Sequence, residues 1–382
     1  MADKIQVVTN QSWISRIFGS IGGVFIGMAL VLVSIVLLFW NEGRYVETYK
    51  TLVEGQALVI DVPPSEVSAT NEGKLVHVTG DVDVGDGITD GDFGISSTAL
   101  RLKRTVSIYQ WQEREESRTE KKLGGGAETI TTYTYEKAWS ESLNSSSGFK
   151  ERAGHENPSQ VAYESVTFDA SDAHLGAFLV PASQIAALDT FVPLSIREAP
   201  ADAAWPDGAQ VVRGEVYIGN SPSNPMVGDM KIAYQMVSAD TLSVISGQSG
   251  DSFAPFETKA GGTIDMAMTG KHTAAEMFAS AQNDNRTLTW ILRLVGLVVS
   301  IIAFSMILRP LSVLADVIPL IGNIVEGATG FMSFLMGFTV SAVTIAIAWI
   351  FFRPLIGIAL LVVAAGAIYG ITKLRTPAAK AA

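Results

Sequence analysis

Residues 17–40 read IFGSIGGVFIGMALVLVSIVLLFW, 24 positions from Ile17 to Trp40 without a charge. As an α-helix rising 1.5 Å per residue, such a stretch reaches about 36 Å, enough for a hydrocarbon core of roughly 30 Å. A cleaved leader has a shorter apolar region and ends at small residues. Here Phe39-Trp40-Asn41-Glu42-Gly43-Arg44 follows instead, so a retained membrane anchor is expected.

Working outward, the charges separate into blocks. Between Glu42 and Arg286 lie 35 acidic and 19 basic residues, whereas the rest of the 382-residue chain carries 3 acidic and 8 basic ones. One acidic, water-compatible block is thus flanked by two apolar, mildly basic ones, which is the pattern of an integral membrane protein. The chain has no cysteine, which excludes a disulfide framework, thiolate metal sites and a cysteine nucleophile. The acidic block lacks a basic stripe, so nucleic-acid binding has no electrostatic basis and no nucleic-acid partner is expected.

Three more apolar stretches follow the block. Leu288–Leu308 is interrupted only by Arg293, and Gly327–Phe352 and Leu355–Thr372 carry no charge. Arg353-Pro354 separates the last two so closely that they form a hairpin, with proline suited to the first turn of the new helix. Between the second and third spans, Leu311, Leu314, Val317, Ile318, Ile321, Ile324 and Val325 recur at helical steps opposite Ser312, Asp316 and Asn323. An in-plane interfacial helix is expected there, with a re-entrant loop as the alternative.

The expected fold class is therefore an α-helical integral membrane protein with four transmembrane helices, an interfacial helix and a large β-rich α+β extracytoplasmic domain. The order is a tail at 1–16, spans at 17–40, 287–308, 327–352 and 354–373, the domain at 41–286, the interfacial segment at 309–326 and a tail at 374–382. The lysines and arginines beside the spans set sidedness. Lys4, Arg16, Arg309, Lys373, Arg375 and Lys380 fall on one side, against Arg353 and Arg293 on the other. Both termini are expected in the cytoplasm.

Within the acidic block, Gln56–Val62, Lys74–Val84, Leu100–Trp111, Thr129–Tyr135, Tyr163–Phe168, Gln210–Ile218, Met230–Val237 and Leu242–Ile245 alternate and are rich in Val, Ile, Thr and Tyr, as strands are. Leu100–Gln112 and Thr129–Trp139 predict a long hairpin with Gly124-Gly125-Gly126 at its charged tip. Helices are expected at Gly176–Leu188 and His272–Asn283. The segment Gly73–Val82 is loosely echoed at Gly208–Val216, as a duplicated β-unit or by chance.

Several short motifs carry a family resemblance. They are Asn41-Glu42-Gly43-Arg44, Asn71-Glu72-Gly73-Lys74-Leu75-Val76-His77, Tyr109-Gln110-Trp111 with Glu115-Glu116-Ser117-Arg118, Gly154-His155-Glu156-Asn157-Pro158, Val227-Gly228-Asp229, Pro255-Phe256 and Phe352-Arg353-Pro354-Leu355. In this order they resemble the transmembrane protein 43 (LUMA) family over nearly the whole chain. The resemblance implies one N-terminal span, a large extracytoplasmic domain and three further spans. It also implies self-association and a role in organising membranes. The best-known members belong to the endoplasmic reticulum and inner nuclear membrane and bind nuclear-envelope proteins. No catalytic residue is established for the family. The chain lacks eukaryotic-style tails and is read as a bacterial member, of the inner membrane, with 42–286 periplasmic.

Candidate chemistry is sparse. Asp81, Asp83, Asp86, Asp90 and Asp92 lie within twelve residues and approach a calcium loop, but no glycine falls at the sixth place; a solvated turn is the plainer reading. No two of His77, His155, His174 and His272 are three to five apart, so a helical metal pair is absent. His155 beside Glu156 has no activated nucleophile near it in sequence. No catalytic residue, cofactor or metal is expected. In the membrane, Gly19, Gly23 and Gly27 put one bare helix face every fourth residue, suited to close packing against another copy or the chain's own helices. Trp13, Trp40, Trp290, Arg293 and Arg353 are expected as interface anchors, Arg293 by snorkelling. The reading is a self-associating, non-enzymatic scaffold whose partners are the lipid bilayer, a second copy and other membrane proteins. A sensor of membrane stress or of a lipid, peptide or cation is the alternative, and a channel or transporter has little support.

Overall fold

The computed structural model describes residues 3–200, 205–238 and 240–355. Two compact units emerge. One gathers residues 51–118 and 130–280 with the start of the chain; the other gathers 9–50, 119–129 and 281 onward.

The first unit is β-rich. An eight-stranded sheet has six strands in the order Asp3–Gln11, Ala127–Ser140, Ala99–Lys121, Met230–Ser238, Glu215–Ile218, Ala209–Val212, with Val166–Asp169 added to Ala99–Lys121 and Val192–Leu194 to Met230–Ser238, and a seven-stranded sheet is centred on Leu75–Asp83 paired with Thr241–Ser249. The period-2 pattern dictates the inner face: Leu100, Leu102, Val106 and Ile108 are buried, and with Val76, Val78, Leu242 and Val244 they form a core drawn from both sheets. Five of the eight expected strands are present; Gln210–Ile218 is instead a hairpin of Ala209–Val212 and Glu215–Ile218, Tyr163–Phe168 becomes a strand only from Val166, and Gln56–Val62 is cut short. Residues 56–58 still belong to a helix, and only Ile60–Val62 is a strand. The expected helix at Gly176–Leu188 shortens to α2, Ala182–Ala187, because His174–Leu175 and Phe178–Leu179 pair as strands instead.

Among the described residues, three helices are long and apolar enough to cross a membrane: α1 (Trp13–Leu58) after the first strand, then α3 (Ala274–Ala315) and α4 (Pro319–Phe352). The expected fourth span, 354–373, lies outside the described residues beyond its first two positions. The expected tail at 1–16 is instead largely strand, and α1 continues 18 residues past Trp40. Its last turns are buried within the β-rich unit: Leu52 is covered, and Glu54 accepts the backbone N–H groups of Lys259 and Ala260 at 2.9 and 3.0 Å. Residues 309–326 do not form a separate in-plane helix. Residues 309–315 complete α3 and Pro319 opens α4, with a three-residue corner between them. Pro319 suits the first turn of α4, where its missing N–H costs nothing.

Helix α3 begins with a capping box. Glu276 N–H donates to Thr273 Oγ1 at 3.3 Å, and Thr273 N–H donates to Glu276 Oε2 at 2.8 Å. Thr273→Ala should lower stability by about 1 kcal/mol, visible as a small drop in thermal midpoint of the solubilised protein.

Candidate functional site in the helix bundle

The inner stripe of α1 runs through Ser34, Leu38, Asn41 and Glu42, all buried. The three- and four-residue steps that place Leu38 against α3 therefore carry a carboxylate onto the same face. Glu42 accepts Arg293 Nε at 2.6 Å and Nη2 at 2.8 Å, and Trp349 Nε1 donates to it at 2.9 Å. The Arg293 guanidinium also lies 4.7 Å from the Trp290 ring and 5.7 Å from that of Trp349. Arg293, expected to snorkel, is thus held by a carboxylate of the bundle. A guanidinium out of water needs a counter-charge with matching geometry, and the two-pronged carboxylate supplies it. One turn on, Arg44 donates to Asn285 Oδ1 at 3.0 Å and Thr289 Oγ1 at 2.9 Å, and Asn41 donates to the Thr289 carbonyl at 3.1 Å. The sequence reading missed Glu42 because it ended the span at Trp40; the signal was the four-residue step from Leu38.

A second cluster closes the other end of the bundle. Asp316, in the corner between α3 and α4, is buried and pairs with Arg16 Nη2 at 2.5 Å and with Lys121 Nζ at 2.8 Å; Lys121 also reaches Glu326 at 2.6 Å. Burial works against the Lys121 charge, but Asp316 and Glu326 outweigh it and hold its pKa above the usual value. Lys121 belongs to the glycine-rich hairpin tip. Gly125 has φ +80°, and a Cβ there would strike the Trp13 ring, so only glycine lets the turn seat. Trp13 Nε1 donates to the Val313 carbonyl at 2.9 Å, and Arg16 donates to that of Gly125 at 2.6 Å. This tip packs with the end of the bundle that carries Arg16, and residues 119–129 group with the helices rather than with most of the rest of 41–286. A polar cleft of about 780 Å³ opens here, lined by Arg16, Lys121, Arg309, Asp316, Asn323 and Glu326 among others.

The bare helix face divides. A Cβ on Gly27 would meet the Ala303 carbonyl oxygen at 2.7 Å, and one on Gly23 would touch Met306 at 3.9 Å. Around Gly19 and its neighbour Gly22, nothing lies within 4 Å among the described residues. Trp40 and Trp290 are exposed, and Arg353 stacks on the Tyr45 ring at 4.5 Å.

The five aspartates are not brought together. Asp90 and Asp92 both accept Arg104 Nη1, at 2.8 and 2.7 Å, and Tyr234 donates to Asp90 at 2.7 Å. Asp81 faces Lys271 at 3.5 Å, and Asp83 accepts the Gly85 N–H at 3.0 Å. Asp86 lies exposed in the turn. No group of three or more His, Asp or Glu residues is placed to hold a metal ion among the described residues. His77 Nδ1 lies 2.6 Å from Asp61 and its Nε2 2.9 Å from the His272 carbonyl, while His155 stacks on Tyr135 with ring centroids 4.0 Å apart. The His77 ring is held by hydrogen bonds and the His155 ring by stacking.

Comparison with known proteins agrees with the family resemblance. A family model described as transmembrane protein 43 matches residues 108–354. Transmembrane protein 43 of Rattus norvegicus is 32% identical over 365 residues, covering 92% of this chain and 90% of the rat protein. The Homo sapiens protein is 31% identical over the same length with the same coverage. The Drosophila melanogaster homolog is 28% identical over 348 residues, covering 89% of this chain and 91% of its own. No solved structure matches.

Proposed function

This chain belongs to the transmembrane protein 43 family, and from that premise we propose that it is a non-enzymatic scaffold. It self-associates in the bilayer and organises a membrane region or a protein assembly around its β-rich domain. The proposed setting is a bacterial inner membrane, with most of the β-rich domain periplasmic and other membrane proteins as further partners.

The observation that carries the reading is the uneven use of the glycine face. Gly27 is consumed by close approach to α3, whereas Gly19 and Gly22 stay uncovered among the described residues, beside the exposed side chains of Phe18, Phe25 and Ile26. Lipid tails are as apolar as these side chains, so helix association in a membrane rests on backbone proximity and van der Waals fit, which bare positions favour. The charged side chains Glu42 and Arg293 are meanwhile spent on one another.

The absence of cysteine makes the test clean. With mild oxidant in native membranes, Gly22→Cys should give a disulfide-linked dimer. Gly27→Cys, walled by Ala303 and Ile307, should stay monomeric. A monomeric mass in gentle detergent, together with no crosslink from cysteines at positions 18, 19, 22 and 25, would falsify self-association through this face.

A further inference from the structure

We propose that the bundle carries a binding site for the phosphate head of an anionic phospholipid, beside Trp290 and Trp349. A cleft of about 160 Å³ is lined by Tyr45, Arg286, Trp290, Arg293, Trp349 and Arg353. Three guanidiniums share this small space. Glu42 neutralises one, Arg293, with two hydrogen bonds. Among the described residues no carboxylate pairs with Arg286 or Arg353; Arg286 is exposed, and Arg353 is held only by the Tyr45 ring face. The cleft therefore keeps an excess of two positive charges, although the chain as a whole carries −11.

Guanidinium groups match phosphate oxygens in geometry and charge, donating paired N–H bonds that an ammonium cannot. The two tryptophans and the tyrosine place the cleft where amphipathic rings favour the headgroup layer. A second hollow of about 430 Å³ continues from it, sharing Tyr45 and Arg353 and adding Val46, Tyr49, Lys50 and Phe352. Lys50 adds a further cation at its rim. The tryptophans, which favour the membrane surface, bring the cleft within reach of a headgroup whose acyl chains stay in the bilayer.

The test uses the full chain in a neutral detergent, with bound lipid read by native mass spectrometry and thermal midpoint read alongside. Phosphatidylglycerol should be retained and should raise the midpoint; phosphatidylcholine should do neither. Arg286→Gln combined with Arg353→Gln should cut phosphatidylglycerol occupancy by about tenfold or more, since each basic residue at a membrane surface contributes roughly a fivefold effect. The double variant should keep the wild-type midpoint without lipid, because neither side chain holds the fold. If it does not, Arg286→Gln alone, at an exposed position, must still cut occupancy about fivefold. Arg309→Gln, 23 residues along α3, should leave occupancy unchanged. Equal retention of both lipids, or unchanged occupancy in the Arg286 and Arg353 variants, overturns the proposal. A midpoint rise of equal size with millimolar inorganic phosphate alone overturns the lipid as the occupant.

Discussion

Exchanging Arg104 for methionine is expected to destabilise the β-rich domain by about 3–5 kcal/mol, the cost of leaving one partner of a buried ion pair behind. Its side chain and that of Asp90 are 5% and 1% exposed. Burial opposes the guanidinium's charge, yet Asp92 and Asp90 together hold its pKa above the usual value. Without Arg104, Asp90 keeps only the Tyr234 hydroxyl and the Asp92 N–H as donors, and a buried carboxylate is not stabilised by two neutral groups as it is by a guanidinium. For a domain of this size the thermal midpoint should fall by roughly 10 °C or more. Asp90→Leu with Arg104→Met removes both charges, and much of the loss should return, because Asp92 is half exposed and stays hydrated. Arg114→Gln, on the same strand, breaks a pair whose side chains are 71% and 68% exposed; it should cost less than about 1 kcal/mol. Equal midpoints for Arg104→Met and Arg114→Gln would remove Arg104 from the core.

The pattern that exposes Arg104 was present in the sequence. Leu100, Leu102, Val106 and Ile108 alternate, and Arg104 and Gln110 stand in the same register. A charge on the apolar face of a strand demands a counter-charge, and the nearby aspartates were instead read as a solvated turn or calcium loop. Alternation tells which face a residue takes, but not which distant residue meets it. The same limit applies in the membrane. Charge-free runs located three of the helices directly, since apolar length suffices for that. They gave a false end to α1, because Gly43 and the charges after Trp40 resemble a helix terminus. In the fold Gly43 is a place of close approach, where a Cβ would meet the Phe352 ring at 2.7 Å. Gly124 and Gly125 were recognised as a turn, yet nothing local announces that the turn seats on Trp13 or that Lys121 reaches Asp316, nearly 200 residues away. The motifs that carried the family resemblance fall on such polar nodes: Glu42 in the bundle, Asp229 accepting the Tyr217 hydroxyl, and Asn157 bridging Trp111 and Asn144.

Glu42→Gln tests the bundle in the same terms. Glutamine keeps the length of the side chain and still offers an acceptor to Trp349, so packing is preserved and only the negative charge is lost. If Arg293 is held by Glu42, that loss leaves a largely buried guanidinium without its counter-charge, at a cost of about 3–5 kcal/mol. The detergent-solubilised protein should then melt well below wild type. Its tryptophan emission should shift to the red, because Trp290 and Trp349 flank the guanidinium that water must now reach. If Arg293 only snorkelled to the interface, glutamine at 42 would change stability by less than about 1 kcal/mol and leave the emission unmoved. Glu42→Gln combined with Arg293→Gln separates charge from contact: two neutral amides can still bond one another, so the greater part of the midpoint should return. Recovery identifies the cost as electrostatic. A double variant as damaged as the single one would assign the cluster's contribution to packing around Trp349, and the ion pair would then be a consequence of the helix contact rather than its cause.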